Sequence, residues 1–235
     1  AAQAHAASFE VIVVDDGSRD GTDAYCSGIV GLRYHRRATN GGFIAAGADG
    51  AALARGGFLV FLNNDTVPQP GWLDALLRTF DEVPNAGLVG AQLVFPNGTL
   101  QESGGVVFAD GSGWNYGRNE SPGDPRYAYL RDADYVSGAA IAIRRELFAR
   151  LGGFDPRYAP AYYEDTDLAF AVREAGLRVR VQPASKVVHD EGGTAGTDTR
   201  VGPKAAQVRN QSVFRQHRAA QLAKHGFKAP SPPYA

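Results

Sequence analysis

Two runs of β-forming apolar residues each stop at a cluster of acid and amide side chains, and no other feature narrows the fold as far. The first is Glu10-Val11-Ile12-Val13-Val14-Asp15-Asp16-Gly17-Ser18, and the second is Gly57-Phe58-Leu59-Val60-Phe61-Leu62-Asn63-Asn64-Asp65-Thr66. Each run has the length of one buried strand and is too short for a buried helix, although periodicity alone does not separate the two. Taken as parallel neighbours, the strands bring their acids together at the carboxyl edge of an open sheet, where α/β folds bind ligands. Carboxylates converging there suit a divalent cation and a phosphate-bearing substrate.

A chain of 235 residues can form one α/β domain with a sizeable core. Its 24 basic and 25 acidic residues leave a net charge of −1, which argues against a nucleic-acid partner, since that would call for a basic stripe. No apolar run approaches the ~18 residues of a membrane-spanning helix, and no signal-peptide pattern opens the chain. Cys26 is the one cysteine, so no internal disulfide can form and a reducing compartment fits. The chain has no methionine, and residues 1–7 read as the end of a helix feeding a strand. In a βαβ unit such a helix follows an earlier strand, so the parent polypeptide is expected to start before Ala1.

Strand and helix signals alternate through the first half. Strands are predicted at 9–15 and 58–63, with an edge strand at 32–35, and helices near 22–28, over 41–55 and from 70 to 80. Pro96-Asn97-Gly98 predicts a hairpin between 87–95 and 99–108. Residues 109–129, rich in Gly, Pro, Asn, Asp and Tyr, read as a long functional loop. A strand at 138–143 leads into a helix at 145–151, and a second helix over 163–175 stops at Gly176. Short strands are expected at 179–182 and 186–189, a final helix at 204–224 and a disordered tail at 225–235. The expected organisation is one domain over 1–224. Within it, residues 1–108 form a nucleotide-binding half, 109–200 an acceptor and catalytic half, and 201–224 the C-terminal helix.

Each polar cluster has a plainer explanation beside the functional one. Asp15-Asp16-Gly17-Ser18 also fits a simple turn. Asp16, Ser18, Asp20 and Gly21 match the first half of a calcium loop, but Ser27 stands where the bidentate acid belongs. Asn63-Asn64-Asp65 is costly to bury, which places it at an open sheet edge, either solvated or holding a cation. Glu164, Asp165 and Asp167 suit a helix first turn on dipole grounds alone, yet the same geometry can aim one carboxylate into a cleft as a general base. His189 closes an apolar strand just before a Gly-rich turn, where a structural role is the commoner one.

In order along the chain these pieces resemble glycosyltransferase family 2, in particular its bacterial rhamnosyltransferase-like branch. The resemblance runs from Phe9 to Arg218. It is carried by Asp15-Asp16-Gly17-Ser18, Asn40-Gly41-Gly42-Phe43, Asn63-Asn64-Asp65-Thr66, Ser137-Gly138-Ala139, Gly152-Gly153-Phe154-Asp155, Tyr163-Glu164-Asp165-Thr166-Asp167-Leu168 and Val188-His189. It implies a GT-A fold: a Rossmann-like, mostly parallel sheet flanked by helices, with a smaller mixed region on the acceptor side. It also implies metal-dependent hexosyl transfer, with inversion, from a nucleoside-diphosphate sugar to a glycan, lipid-linked or protein acceptor. The setting implied is bacterial polysaccharide synthesis in the cytoplasm, with association with the inner membrane face left open. By the same resemblance Asp15, Asp16, Arg37, Asn40 and Asn64 bind the nucleotide sugar. Asp65 and His189 hold Mg²⁺ or Mn²⁺, and Asp165 acts as base with Glu164 beside it. Trp114, Tyr116, Tyr162 and Tyr163 line the acceptor groove.

Two departures stand out: the family's opening strand is missing, and Asn64 replaces an acid that many relatives carry. Both leave open a non-catalytic nucleotide-sugar or glycan-binding module. A nucleotidyltransferase would need a Gly-rich, basic phosphate loop after its first strand, and none is visible.

Overall fold

The computed structural model describes residues 8–190 and 205–226. The expected helix end at residues 1–7, the Gly-rich turn after Asp190 and the tail from 227 onward lie outside them.

Strand β1 (Ile12–Asp15) is followed by helix α1 (Thr22–Ser27) and strand β2 (Arg33–Arg36), which pairs with β1 in parallel. Helix α2 (Gly42–Leu53) leads to β3 (Phe58–Leu62) and a short β4 (Thr66–Pro68). After α3 (Trp72–Glu82) comes β5 (Ala86–Val94), all nine of whose residues are buried. The chain continues through β6 (Leu100–Glu102), β7 (Gly105–Val107), β8 (Gly113–Asn115) and β9 (Arg131–Asp132). Strand β10 (Ala140–Arg144), helix α4 (Arg145–Arg150), helix α5 (Glu164–Glu174) and β11 (Arg178–His189) complete the sheet region. Helices α6 (Ala205–His217) and α7 (Ala219–Leu222) close the described chain.

The main sheet has the order β3-β10-β5-β11-β4. Strands β3, β5 and β11 point the same way, with β10 antiparallel between β3 and β5 and β4 antiparallel at the edge. Side chains alternate across it with the two-residue strand period. Val89, Ala91, Leu93, Ala140 and Ala142 pack under Trp72, Leu73, Leu76 and Phe80 of α3. Leu88, Ile141, Ile143, Val179 and Val181 meet Phe148, Leu168, Phe170 and Phe214 on the other face. Each such side chain, fully buried, is worth ~1.5–3 kcal/mol in transfer free energy.

Several boundaries differ from expectation for physical reasons. Strands β1 and β3 are not neighbours: β1 bonds only to β2, and β3 pairs only with β10 among the described residues. Helix α2 lies across both, since a Cβ on Gly50 would touch Val14 and one on Gly47 would touch Phe154 and Phe61. The return arm of the hairpin breaks at Gly104, whose φ of 72° turns the chain, so β6 pairs with β5 while β7 pairs with β8. The predicted 109–129 loop therefore contains one strand, β8. The two short strands expected at 179–182 and 186–189 are one strand, β11, with a register shift between Gln182 and Lys186 that accommodates Pro183. The final helix is interrupted at Arg218. The Gly176 stop after α5 is as expected, with φ 77° and Leu177 N–H bonding back to the Val172 carbonyl.

Candidate functional site

The carboxyl ends of β3 and β11 and the start of β10 meet at one edge of the sheet. Because β10 runs against β3, residues 137–139 enter beside the segment leaving β3, and Asn63 N–H donates to the Ala139 carbonyl at 3.0 Å. The next polar residue after Asn64 is Asp65. Its carbonyl accepts from Asp190 N–H at 3.0 Å, and its Oδ1 lies 3.3 Å from His189 Nε2. The turn between β3 and β4 is thus clipped to the end of β11 by backbone and side chain.

Asp65 Oδ1 is buried and has no hydrogen-bond partner. An orphaned carboxylate oxygen facing an imidazole nitrogen is expensive unless a further group completes it. The carboxylate oxygen suits Mn²⁺ or Mg²⁺, and the imidazole nitrogen beside it favours the softer Mn²⁺ of the two. A second group, Asp155, Asp167 and His217, has ligand atoms within 4.8 Å of one another. Its carboxylates are already in salt bridges, Asp155 with Arg157 at 2.5 Å and Asp167 with Arg218 at 2.7 Å. Two guanidinium groups compete there with any cation, so the Asp65–His189 pair is the better match.

Asp165 opens α5 on the same edge. Its Oδ2 accepts from Gly138 N–H at 2.9 Å and its Oδ1 from Thr166 N–H at 2.6 Å. Burial raises its pKa, and these amides pull in the opposite direction. Glu164 is driven further up by burial and by the neighbouring Asp165, and its Oε2 has no partner. The loop before α5 is strained, with Tyr162 and Tyr163 both at φ 74°. Asn210 of α6, fully buried, holds this loop by donating to the carbonyls of Tyr158, Ala161 and Tyr162 at 2.6–2.9 Å. Arg218 then ties Asp167 and Glu174 of α5 to α7.

At the end of β1, Asp15 is 3% exposed and accepts from Ser18 N–H and from the Tyr34 hydroxyl, which hold its pKa down to about 2. Asp16 accepts from Gly41 N–H at 2.9 Å and Gly42 N–H at 2.6 Å, and pairs with Arg37 at 2.9 Å. Both acids are therefore engaged within the protein. A cavity of about 380 Å³ beside them is lined by Gly17, Ser18, Arg19, Arg36, Arg37 and Ala38. Asn40 and Asn64 are exposed, Asn40 beside the Gly17 turn and Asn64 beside Asp65. Helix α2 reaches the Asp165 edge as well: Ile44 N–H bonds to the Pro160 carbonyl, and Phe43 would touch a Cβ on Gly138.

Of the four aromatic candidates, Trp114 and Tyr116 stand edge to face at 5.7 Å, and the Arg131 guanidinium lies 4.1 Å over the Tyr116 ring. Tyr163 turns inward, against Phe214 and with its hydroxyl on the Gly111 carbonyl. Tyr162 is partly buried in the strained loop.

Sequence reasoning missed Gln101 and Glu102, both buried on β6. Gln101 Oε1 lies 2.8 Å from His189 Nδ1, and Glu102 Oε1 accepts from Ser137 N–H at 3.0 Å. Burial pushes the Glu102 carboxyl up to about 8. Two adjacent polar residues inside a β-forming run were the available signal.

Fold and edge together define a GT-A glycosyltransferase domain. The GalNAc-T7 structure with UDP, GalNAc and Mn²⁺ superposes with TM-score 0.67 at 17% identity, covering 88% of this chain and 41% of that one. The mannosyltransferase PcManGT of Pyrobaculum calidifontis, in complex with GDP-Man and Mn²⁺, gives 0.59 at 21% identity, covering 95% and 56%. The family model for glycosyl transferase family 2 matches residues 1–152, and the chain belongs to that family. The O-antigen biosynthesis protein RfbC of Myxococcus xanthus is 35% identical over 156 residues, 63% of this chain and 12% of the relative. The pre-mycofactocin glycosyltransferase of Mycobacterium tuberculosis is 34% identical over 191 residues, 77% of this chain and 37% of the relative. An N-acetylglucosaminyl-diphospho-decaprenol L-rhamnosyltransferase of the same species is 30% identical over 154 residues, 60% and 49%. The chain thus spans less than half the length of each of these relatives. No helix among the described residues is long and apolar enough to cross a membrane.

Proposed function

We propose that this chain moves a hexose from a nucleoside-diphosphate sugar to an acceptor hydroxyl, with inversion, in the synthesis of a bacterial glycan or cell-surface polysaccharide. The observation that carries the reading is the shared edge: residues 137–139 bond to Asn63 before Asp65 on one side and to Asp165 on the other.

Asp165 is the base. The acceptor oxygen loses its proton to Asp165 as it bonds to the anomeric carbon, and the bond from that carbon to the diphosphate oxygen breaks on the opposite face. A carboxyl with a raised pKa is better matched to this proton transfer at neutral pH than an ordinary one. Glu164, beside it, has its own pKa raised by burial and by the neighbouring Asp165. Asp65 and His189 would hold Mn²⁺ or Mg²⁺, which when bound offsets charge on the departing diphosphate. Asp15, Asp16, Arg37, Asn40 and Asn64 form the nucleotide side, where the arginine-lined cavity attracts an anion. Trp114, Tyr116, Tyr162 and Tyr163 are assigned to the acceptor side, which would take a glycan, lipid-linked or protein acceptor. The expected location is the cytoplasm, at or near the inner membrane face, within a longer polypeptide.

A second reading, a binding module without turnover, is favoured by one observation: Asp15 and Asp16 are both occupied by internal partners. Incubating the protein with a panel of nucleoside-diphosphate sugars and Mn²⁺ separates the two. Release of nucleoside diphosphate that D165N abolishes supports transfer, whereas tight donor binding with no release from any donor supports the module.

A further inference from the structure

We infer that Gln101 is a positioning residue: its side-chain carbonyl fixes which nitrogen of His189 faces Asp65, and so sets how tightly this edge holds a divalent cation. The inference rests on the reading of Asp65 and His189 as cation ligands.

Strands β6 and β11 flank the end of β5 on its two edges, and the Gln101 side chain reaches His189, the last residue of β11. Gln101 is 3% exposed and His189 8% exposed, so neither can turn to water for a partner. Their contact, Oε1 to Nδ1 at 2.8 Å, has hydrogen-bond length. A carbonyl oxygen only accepts, so the proton of this bond sits on Nδ1. In a neutral imidazole Nε2 then carries a lone pair, and it lies 3.3 Å from Asp65 Oδ1. No hydrogen bond joins the two atoms, and Asp65 Oδ1 has no other partner, which leaves both as ligands for one cation.

Replacing the carbonyl removes the constraint on the ring. Nothing then holds the proton on Nδ1, and with the proton on Nε2 the nitrogen needed as ligand is lost. Groups that orient a ligating histidine in this way commonly change metal affinity ~10–100-fold when removed.

The test uses protein with ¹⁵N-labelled imidazoles, free of metal, and a titration with Mn²⁺ alone followed by electron paramagnetic resonance. Expected are an Nδ1–H tautomer for His189 in the wild type, an Nε2–H tautomer in Q101M, and ~10–100-fold weaker Mn²⁺ binding by Q101M. Q101E, which keeps an acceptor at the same reach, should restore the wild-type tautomer. A wild-type proton on Nε2 overturns the inference, and that measurement needs no variant to fold. Equal Mn²⁺ affinity in wild type and Q101M overturns it while leaving the cation reading intact. A wild type that binds no Mn²⁺ removes both.

Discussion

Glu102 and Asp165 are held by consecutive amides of one turn: Ser137 N–H donates to Glu102 Oε1 at 3.0 Å and Gly138 N–H to Asp165 Oδ2 at 2.9 Å. Two carboxyls brought this close, Glu102 buried and Asp165 half-buried, cannot both ionise cheaply. Folded Glu102 keeps its proton to about pH 8, against 4.5 for the ordinary group, with burial the main cause and Asp165 a further one.

The pH dependence of stability follows from that shift. Between 4.5 and about 8 the folded state binds more protons than the unfolded state, so stability falls as pH rises through this window. Glu164 and Asp165 shift in the same direction and add to the fall. Glu10 and Asp15, held down near 2, titrate below the window and do not mask it. Each proton contributes a slope of at most ~1.4 kcal/mol per pH unit. E102Q keeps an oxygen for the Ser137 amide and removes one titration. Urea unfolding from pH 5 to 9 should show a shallower decline for E102Q and greater stability than wild type above pH 8. Identical slopes would refute the buried neutral carboxyl.

Asp165→Asn tests the base directly. The amide keeps the shape and one acceptor oxygen, so donor binding measured by calorimetry should change little. The rate of sugar transfer should fall ~10²–10⁴-fold, the usual contribution of a general base. A variant that transfers at the wild-type rate would remove Asp165 from the mechanism.

Asp16 has a structural burden that the donor reading alone does not predict. Its carboxylate satisfies the first amides of α2 and the Arg37 guanidinium together. Charge-assisted bonds of this kind contribute ~1.5–3 kcal/mol each. Asp16→Ala should lower unfolding stability by about that amount and speed hydrogen exchange at Gly41 and Gly42, together with weaker donor binding. Weaker donor binding with unchanged exchange would mean that Asp16 serves the ligand alone.

These contacts mark the boundary of what the chain's own pattern discloses. The apolar runs before Asp15 and Asn63 are strands because each is apolar enough to bury and bounded by turn chemistry, and both properties are local. The helix opening at Glu164 was readable for the same reason. Which strands become neighbours is a property of the whole sheet. The insertion of β10 beside β3, and the separation of β1 from β3, leave no trace in residues 9–66. Gly104 looks like any glycine until its φ of 72° splits a hairpin arm. Glu102 shows the limit for site residues: the polar pair Gln101-Glu102 in a β-forming run is visible in the sequence, but its place in the site appears only once Ser137 and Asp165 are brought beside it.

Asn210 gives the sharpest test of how the C-terminal helices serve the site. It lies on α6, far from Asp165 in the chain, yet its amide donates to three carbonyls of the loop that carries Tyr162 and Tyr163 into α5. Backbone at φ 74° on two successive tyrosines is unfavourable by itself and persists only where surroundings enforce it. Removing the amide leaves the buried Tyr158 carbonyl and the part-buried carbonyls of Ala161 and Tyr162 without the two hydrogens they share, which costs ~1–3 kcal/mol for a buried group left unsatisfied. Asn210→Ala should therefore lower the unfolding midpoint. The released loop should also let the first turn of α5 drift, so kcat should fall while the KM for donor stays near wild type. Asn210→Asp supplies an acceptor where donors are needed, and it should be at least as damaging. A variant that melts early but turns over normally below its transition would show that the clamp serves stability alone and that Asp165 is placed by Gly138 and Thr166 without help from α6.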